Sequence, residues 1–206
     1  MVLDAFIRLH NVVFSTKALG PGERAAIWLQ GCHRRCPGCM SEETRPLDKG
    51  KQISIDKLAD DLKKLDTIEG ITISGGEPFL QKGPLRSLLT KIRENTNLGI
   101  IIYTGYTYRE LQEMHHPDVN DILDNLCDLL IDGTYVEELN DGKRFKGSSN
   151  QQLIFLTERY KPFAYLYAEN NRSVEIVVKQ NEVFMYGIPD TNTLARWEEY
   201  KKQKGE

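Results

Sequence analysis

At 206 residues, with 40% hydrophobic residues and a formal net charge of -3, the chain can bury one domain's core but lacks the basic excess that a phosphate backbone requires. Nucleic acid is therefore excluded as an expected partner. The opening stretch, MVLDAFIRLHNVVFS, sets Asp4, Arg8 and His10 among its apolar residues. It matches neither a signal peptide nor a membrane span of roughly 20 apolar residues, so a cytoplasmic protein without membrane contact is expected.

AAIWLQ is the first predicted strand and runs into a cysteine loop, WLQGCHRRCPGCMSEE. SIDKLADDLKKL then sets Ile55, Leu58, Ala59, Leu62 and Leu65 on one helical face behind Ser54 as N-cap, and GITIS follows as a β-branched strand. PLRSLLTKIREN repeats the helical period through Leu85, Leu88, Leu89 and Ile92 and leads into the buried strand LGIIIYTG. TYRELQEM opens with Thr107 and Glu110 at capping-box spacing, DVNDILDNL is a second short helical piece, and CDLLIDG is the next strand. This alternation predicts an α/β protein with a parallel sheet covered by helices. From Tyr165 onward the pattern changes. Alternation on either side of KQNE predicts a β-hairpin, and TLARWEEYKKQKGE, anchored by Leu194 and Trp197, predicts a terminal helix frayed at its end.

The unusual residues cluster at strand ends. The cysteine loop follows AAIWLQ, GGEP follows ITIS, TG follows IIIY and DG follows DLLI. Each stands just past the C-terminal end of a strand, where α/β sheets and barrels assemble their sites. Taken singly, Gly105 and Gly133 read as residues that turn the chain.

Of the 4 cysteines, Cys127 reads as a small core residue, whereas Cys32, Cys36 and Cys39 are spaced C-x3-C-x2-C. Three thiols this close favour one soft metal centre over three separate reactive groups. Structural zinc wants a fourth ligand, and His33 is crowded inside the loop. A 4Fe-4S cluster held by three cysteines keeps one iron open to an exogenous ligand. The loop alone leaves iron-sulfur and zinc both standing.

CHRRCPGC followed by SGGEP resembles the signature of radical S-adenosylmethionine enzymes. PGC at the third cysteine, IYTGYTYREL, DLLIDGTYVEEL and FKGSSNQQLI resemble, in order, segments of the activating proteins of anaerobic, class III ribonucleoside-triphosphate reductase. The likeness spans most of residues 26–154. It departs at CMSEE, where the family often has an aromatic residue and Asn, and in the hairpin after Tyr165, which shorter members lack.

The resemblance implies a partial (β/α)6-type barrel with a C-terminal β-hairpin extension. Residues 1–160 would be the radical core, and 161–206 a hairpin and helix packed on it without independent folding. Cys32, Cys36 and Cys39 would ligate a 4Fe-4S cluster. Gly75, Gly76, Glu77 and Pro78 would serve the methionine end of S-adenosylmethionine, Thr104 and Gly105 its nucleoside, and Asp132 the mouth. Ser149 and Asn150, with Ser148, would serve its carboxylate or ribose, although a plain turn is an equal reading there. The implied reaction cleaves S-adenosylmethionine reductively and places a glycyl radical on a separate reductase, with an electron donor such as flavodoxin or ferredoxin. The competing expectations are a radical enzyme acting on another peptide or small molecule, and a non-catalytic iron-sulfur or zinc module, which would have no use for SGGEP.

Overall fold

The computed structural model describes residues 4–179 and 182–204. Its main sheet has seven strands in the order β3-β1-β2-β4-β5-β6-β7. These are β1 (Phe6–Thr16), β2 (Arg24–Leu29), β3 (Lys51–Ser54), β4 (Gly70–Gly75), β5 (Gly99–Tyr103), β6 (Leu129–Asp132) and β7 (Gln152–Phe155). Strands β2, β4, β5 and β6 run parallel. β1 is antiparallel to both β2 and β3, and β7 is antiparallel to β6.

The expected parallel sheet of a partial (β/α)6-type barrel is found in the four central strands, while β1 and β7 run antiparallel to their neighbours, so the sheet is mixed, and its edge strands β3 and β7 do not pair with each other. Chain economy explains the β1 edge. Only residues 17–23 join β1 to β2, too few for the crossover of a dozen or more residues that a parallel pair needs.

Along the central strands alternate side chains face opposite layers. Ile71, Ile73, Ile100, Ile102 and Leu130 pack with Leu58 and Leu62 of α1 (Ile55–Lys63), with Leu85, Leu88 and Leu89 of α2 (Lys82–Asn95), and with Val119 of α4 (Pro117–Asp121). The helix starts follow from local chemistry. Ser54 accepts from the Lys57 N–H at the head of α1, and Thr107 and Glu110 form both bonds of a capping box at α3 (Tyr108–Glu113). The DVNDILDNL piece is α4 followed by a π turn at Ile122–Leu126.

The other face of the sheet is covered by later chain. Ile101, Leu129 and Ile131 pack with Phe145, Tyr160 and Tyr167, the last on the 3-10 segment Lys161–Ala168. Beneath them Arg24 is fully buried. It donates to Thr72 Oγ1 at 2.8 Å, Glu69 Oε2 at 2.5 Å, Tyr160 Oη at 2.7 Å and the Ile71 carbonyl at 2.6 Å. The expected hairpin is present as β8 (Val174–Lys179) and β9 (Glu182–Gly187). Its turn, Gln180 and Asn181, lies outside the described residues. The terminal helix is α5 (Thr191–Lys204).

Candidate functional site

At the C-terminal ends of β2, β4, β5 and β6 a cavity of about 900 Å³, counting its open mouth, is lined by Cys32, Cys36 and Cys39 together with Gly75, Gly76, Glu77, Thr104 and Gly105. Four separate strand-end loops therefore meet at one place. The cysteine loop is fixed on both flanks. The Gly31 and Cys32 N–H groups donate to the carbonyls of Thr44 at 2.7 Å and Arg45 at 3.0 Å, and those of Gly76 and Glu77 donate to the carbonyls of Leu29 and Gly31, each at 2.8 Å.

The glycines of GGEP answer first to that close approach. Gly75 has φ +103°, and a Cβ there would stand 2.5 Å from the Leu29 backbone; a Cβ at Gly76 would overlap the Gly31 carbonyl. Absence of Cβ thus lets β4's exit lie against β2's exit, and so against the cysteines. Gly38 is constrained by its backbone. Its φ is +64°, a left-handed backbone that favours glycine, and a Cβ there would meet only the carboxyl end of the exposed Glu137 side chain.

All three thiols are half-buried. Burial pushes the Cys32 thiol above its ordinary value, against an N–H bond from Arg34, and the nearby Glu77 and Cys36 push it further. Cys39 is raised by burial, against an N–H bond from Ser41, with Cys36 and Cys32 adding to the rise. Three sulfurs that sense one another, two of them already hydrogen-bonded, are matched to a centre that needs several negative ligands and tunes itself by bonds to sulfur. Among the described residues no three His, Cys, Asp or Glu side chains converge as ligands of a single metal ion. A four-iron cube spreads its thiolates wider than one ion does, and the loop has the donors that such a cube uses.

Glu77 joins the loops. It is 1% exposed, and its carboxylate accepts from the Phe79 N–H at 3.1 Å, Thr104 Oγ1 at 2.8 Å and the Gly105 N–H at 2.9 Å. Burial nonetheless pushes its carboxyl above the usual carboxylate range. Thr104 and Gly105 are placed by this acid.

Pro78, Asp132, Ser149 and Asn150 are not among the residues lining the cavity. Pro78 is buried at the first position of the 3-10 turn Pro78–Gln81. Asp132 accepts from the Tyr108 N–H at 2.6 Å and the Gln152 N–H at 3.2 Å, anchoring α3 and β7. Asn150 donates to the Thr134 carbonyl at 2.8 Å, and Ser148 Oγ accepts from Val136. From these two segments the cavity takes Gly133, Gly147 and Gln151 instead.

Several lining residues carried no sequence signal. Arg34 donates to Thr134 Oγ1 at 2.7 Å, lies over the Tyr106 ring at 4.5 Å, and keeps a buried Nε without a partner. Gln151 accepts from the Gly147 N–H at 2.9 Å and donates to the Gly133 carbonyl at 3.0 Å. Leu19, Trp28, Tyr103 and Ile188 form an apolar side.

Residues 18–154 match the family described as a 4Fe-4S single cluster domain. This agrees with the cysteine loop and the converging strand ends, and the chain belongs to that iron-sulfur class within the radical S-adenosylmethionine superfamily. Over 142 residues it is 34% identical to the anaerobic ribonucleoside-triphosphate reductase-activating protein of Salmonella typhi, covering 64% of this chain and 88% of that protein. The protein of the same name from Escherichia coli K12 is 32% identical with the same coverage, and that of Enterobacteria phage T4 is 27% identical over 65% of this chain and 85% of its own. The chain is a member of the anaerobic ribonucleoside-triphosphate reductase-activating protein family. Among solved structures, that of QueE from Escherichia coli aligns with a TM-score of 0.40 and 22% identity, over 50% of this chain and 53% of that one.

Proposed function

We propose that this protein is a radical S-adenosylmethionine activase that generates a glycyl radical on an anaerobic ribonucleoside-triphosphate reductase. The observation that carries the proposal is the shared cavity: Cys32, Cys36 and Cys39 line it together with residues 75–77 and Thr104 and Gly105. Cys32, Cys36 and Cys39 would hold a 4Fe-4S cluster. When bound, the cluster would supply the single electron for reductive cleavage of S-adenosylmethionine, and the radical chemistry this makes available would be directed at a glycine Cα of the reductase.

The chain's own residues bind and orient. Gly75 and Gly76 offer backbone to the methionine end, since the Glu77 carboxylate is already taken by Phe79, Thr104 and Gly105. Thr104 and Gly105 border the nucleoside. Asp132, Ser149 and Asn150 support the loops around the ligand without touching it. Leu19, Trp28 and Tyr103 exclude water from the side where the radical reacts.

The radical core comprises residues 1–160, and residues 161–206 are an attached unit. Electrons come from a flavodoxin- or ferredoxin-like donor. Four free cysteines suit a reducing, cytoplasmic setting. Among the described residues no helix is long and apolar enough to cross a membrane.

The test is anaerobic reconstitution with iron and sulfide, dithionite reduction with S-adenosylmethionine, and chromatographic detection of 5′-deoxyadenosine. Product from the wild type that disappears in Cys36→Ala is expected. A fully loaded, reducible protein that neither binds S-adenosylmethionine nor yields product, with or without the reductase, overturns the reading.

A further inference from the structure

The cavity has two chemically distinct sides. Arg34, Glu77, Thr104 and the cysteines make one polar; Leu19, Trp28, Tyr103 and Ile188 make the other apolar. Three of the apolar four come from the β1–β2 loop, β2 and β5, inside the segment that matches the family. Ile188 does not: it follows β9 and lies beyond residue 154, where the family match ends.

Ile188 is held firmly against this shelf. It is 7% exposed, clusters with Leu19 and Ala26, and packs with Trp28, Met40 and Tyr103. The preceding Gly187, at φ +115°, also lines the cavity, and a Cβ there would stand 2.9 Å from the Ala18 side chain. Next to it Tyr186 contacts Trp28 with ring centroids 5.4 Å apart.

The hairpin is fastened at its base. Arg172 donates to the Lys143 carbonyl at 3.1 Å, Asn140 Oδ1 at 2.8 Å, the Lys146 carbonyl at 2.5 Å and the Pro189 carbonyl at 3.0 Å. The Lys17 N–H donates to Glu175 Oε1 at 2.8 Å. A branched apolar side chain clamped from both ends is a rigid wall.

We infer that Ile188, presented by the C-terminal hairpin, is a specificity-determining wall for the polypeptide substrate. This rests on the radical reading above and goes beyond it. The wall narrows the apolar side, so the entering segment of the reductase must carry a backbone and flanking side chains that clear Ile188. In the step that it governs, one Cα–H bond of the substrate breaks and one C–H bond forms at the 5′ carbon. The hydrogen moves with one electron and leaves the other unpaired on the substrate Cα.

The experiment uses the reconstituted full-length protein with its cognate anaerobic ribonucleoside-triphosphate reductase, comparing wild type, Ile188→Trp and Ile188→Val. Electron paramagnetic resonance counts glycyl radicals, chromatography counts 5′-deoxyadenosine, and the ratio of the two is the readout. Ile188→Trp should lower that ratio several-fold and raise the KM for reductase, and Ile188→Val should restore both. A general folding defect would lower both products together and leave their ratio unchanged. An unchanged ratio in Ile188→Trp therefore overturns the wall, whether total product falls or not. Absence of 5′-deoxyadenosine from the loaded wild type would overturn the radical reading itself and the wall with it.

Discussion

Glu77 is an ionisable group placed where water does not reach, and each of its three hydrogen bonds requires it to accept. Its folded-state pKa is raised by burial, so the folded chain binds this proton more tightly than the unfolded chain does. The cost of ionising it appears as pH rises from the ordinary carboxyl range through the raised value, and is relieved as pH falls back. Relative to Glu77→Gln, which cannot titrate, the wild-type apoprotein should lose stability as pH rises above the ordinary carboxyl range. Thermal melts of both proteins under anaerobic, reducing conditions measure this, and a pH-independent difference in Tm would mean that the carboxylate is not desolvated. Arg34 poses the complementary case, a cation with an unused buried donor beside Cys32. If that donor meets the ligand carboxylate, Arg34→Ala removes a charge-assisted bond of about 1.5–3 kcal/mol. S-adenosylmethionine affinity should then fall by at least about tenfold in calorimetric titration, with Arg34→Lys intermediate. Equal affinity in all three proteins would confine Arg34 to bracing Thr134 and Tyr106.

Between elements, the Arg24 cluster joins β2, β4 and β5 to the segment at Tyr160. Arg24→Ala would leave the Tyr160 hydroxyl, Thr72 and the Ile71 and Gly99 carbonyls without their donor while Glu69 keeps Arg159 at 2.9 Å, and should cost at least about 1–3 kcal/mol in urea unfolding; a loss well under about 1 kcal/mol would show water replacing the guanidinium. Nothing in the local pattern around Arg24 announces this, because all its partners except the Pro21 carbonyl are remote in sequence. The same distinction separates what could be read in the chain from what could not. α1 and α3 carry their caps in Ser54 and Thr107, α2 carries its apolar period, and the parallel strands are buried apolar runs, so local signals suffice. β1 has two register irregularities and a patchy burial pattern, while β3 and β7 are four residues long and owe their form to remote neighbours. The candidate site divides likewise. The cysteines and GGEP are contiguous motifs, but Arg34, Gln151 and Ile188 reach the cavity only through tertiary contacts, and Asp132, at a strand end like the others, turns its carboxylate to backbone N–H groups.

For the molecule as a whole, the question is what the C-terminal unit adds to a core that already matches its family. The hairpin supplies the Ile188 wall, and α5 has a different position. Leu194, Trp197, Glu198 and Lys201 face Gly38, Cys39 and Met40 across a groove on the outer side of the cysteine loop. α5 buries none of its own side chains, so it adds little apolar burial to the fold. It borders the outer side of Cys39 across that groove, where it narrows the approach to the cysteine loop. An iron-sulfur centre with one open iron is lost through oxidation, and access decides the rate. A chain ending at Asp190 keeps Ile188, Pro189 and the Arg172 contacts, so its apoprotein should melt within a few degrees of the full chain. Once reconstituted and exposed to air, its visible cluster absorbance should bleach several-fold faster, while the ratio of glycyl radical to 5′-deoxyadenosine under anaerobic conditions stays that of the full chain. Equal bleaching would assign the shielding of Cys39 to the cysteine loop alone, and a changed product ratio would extend the substrate wall from Ile188 into α5.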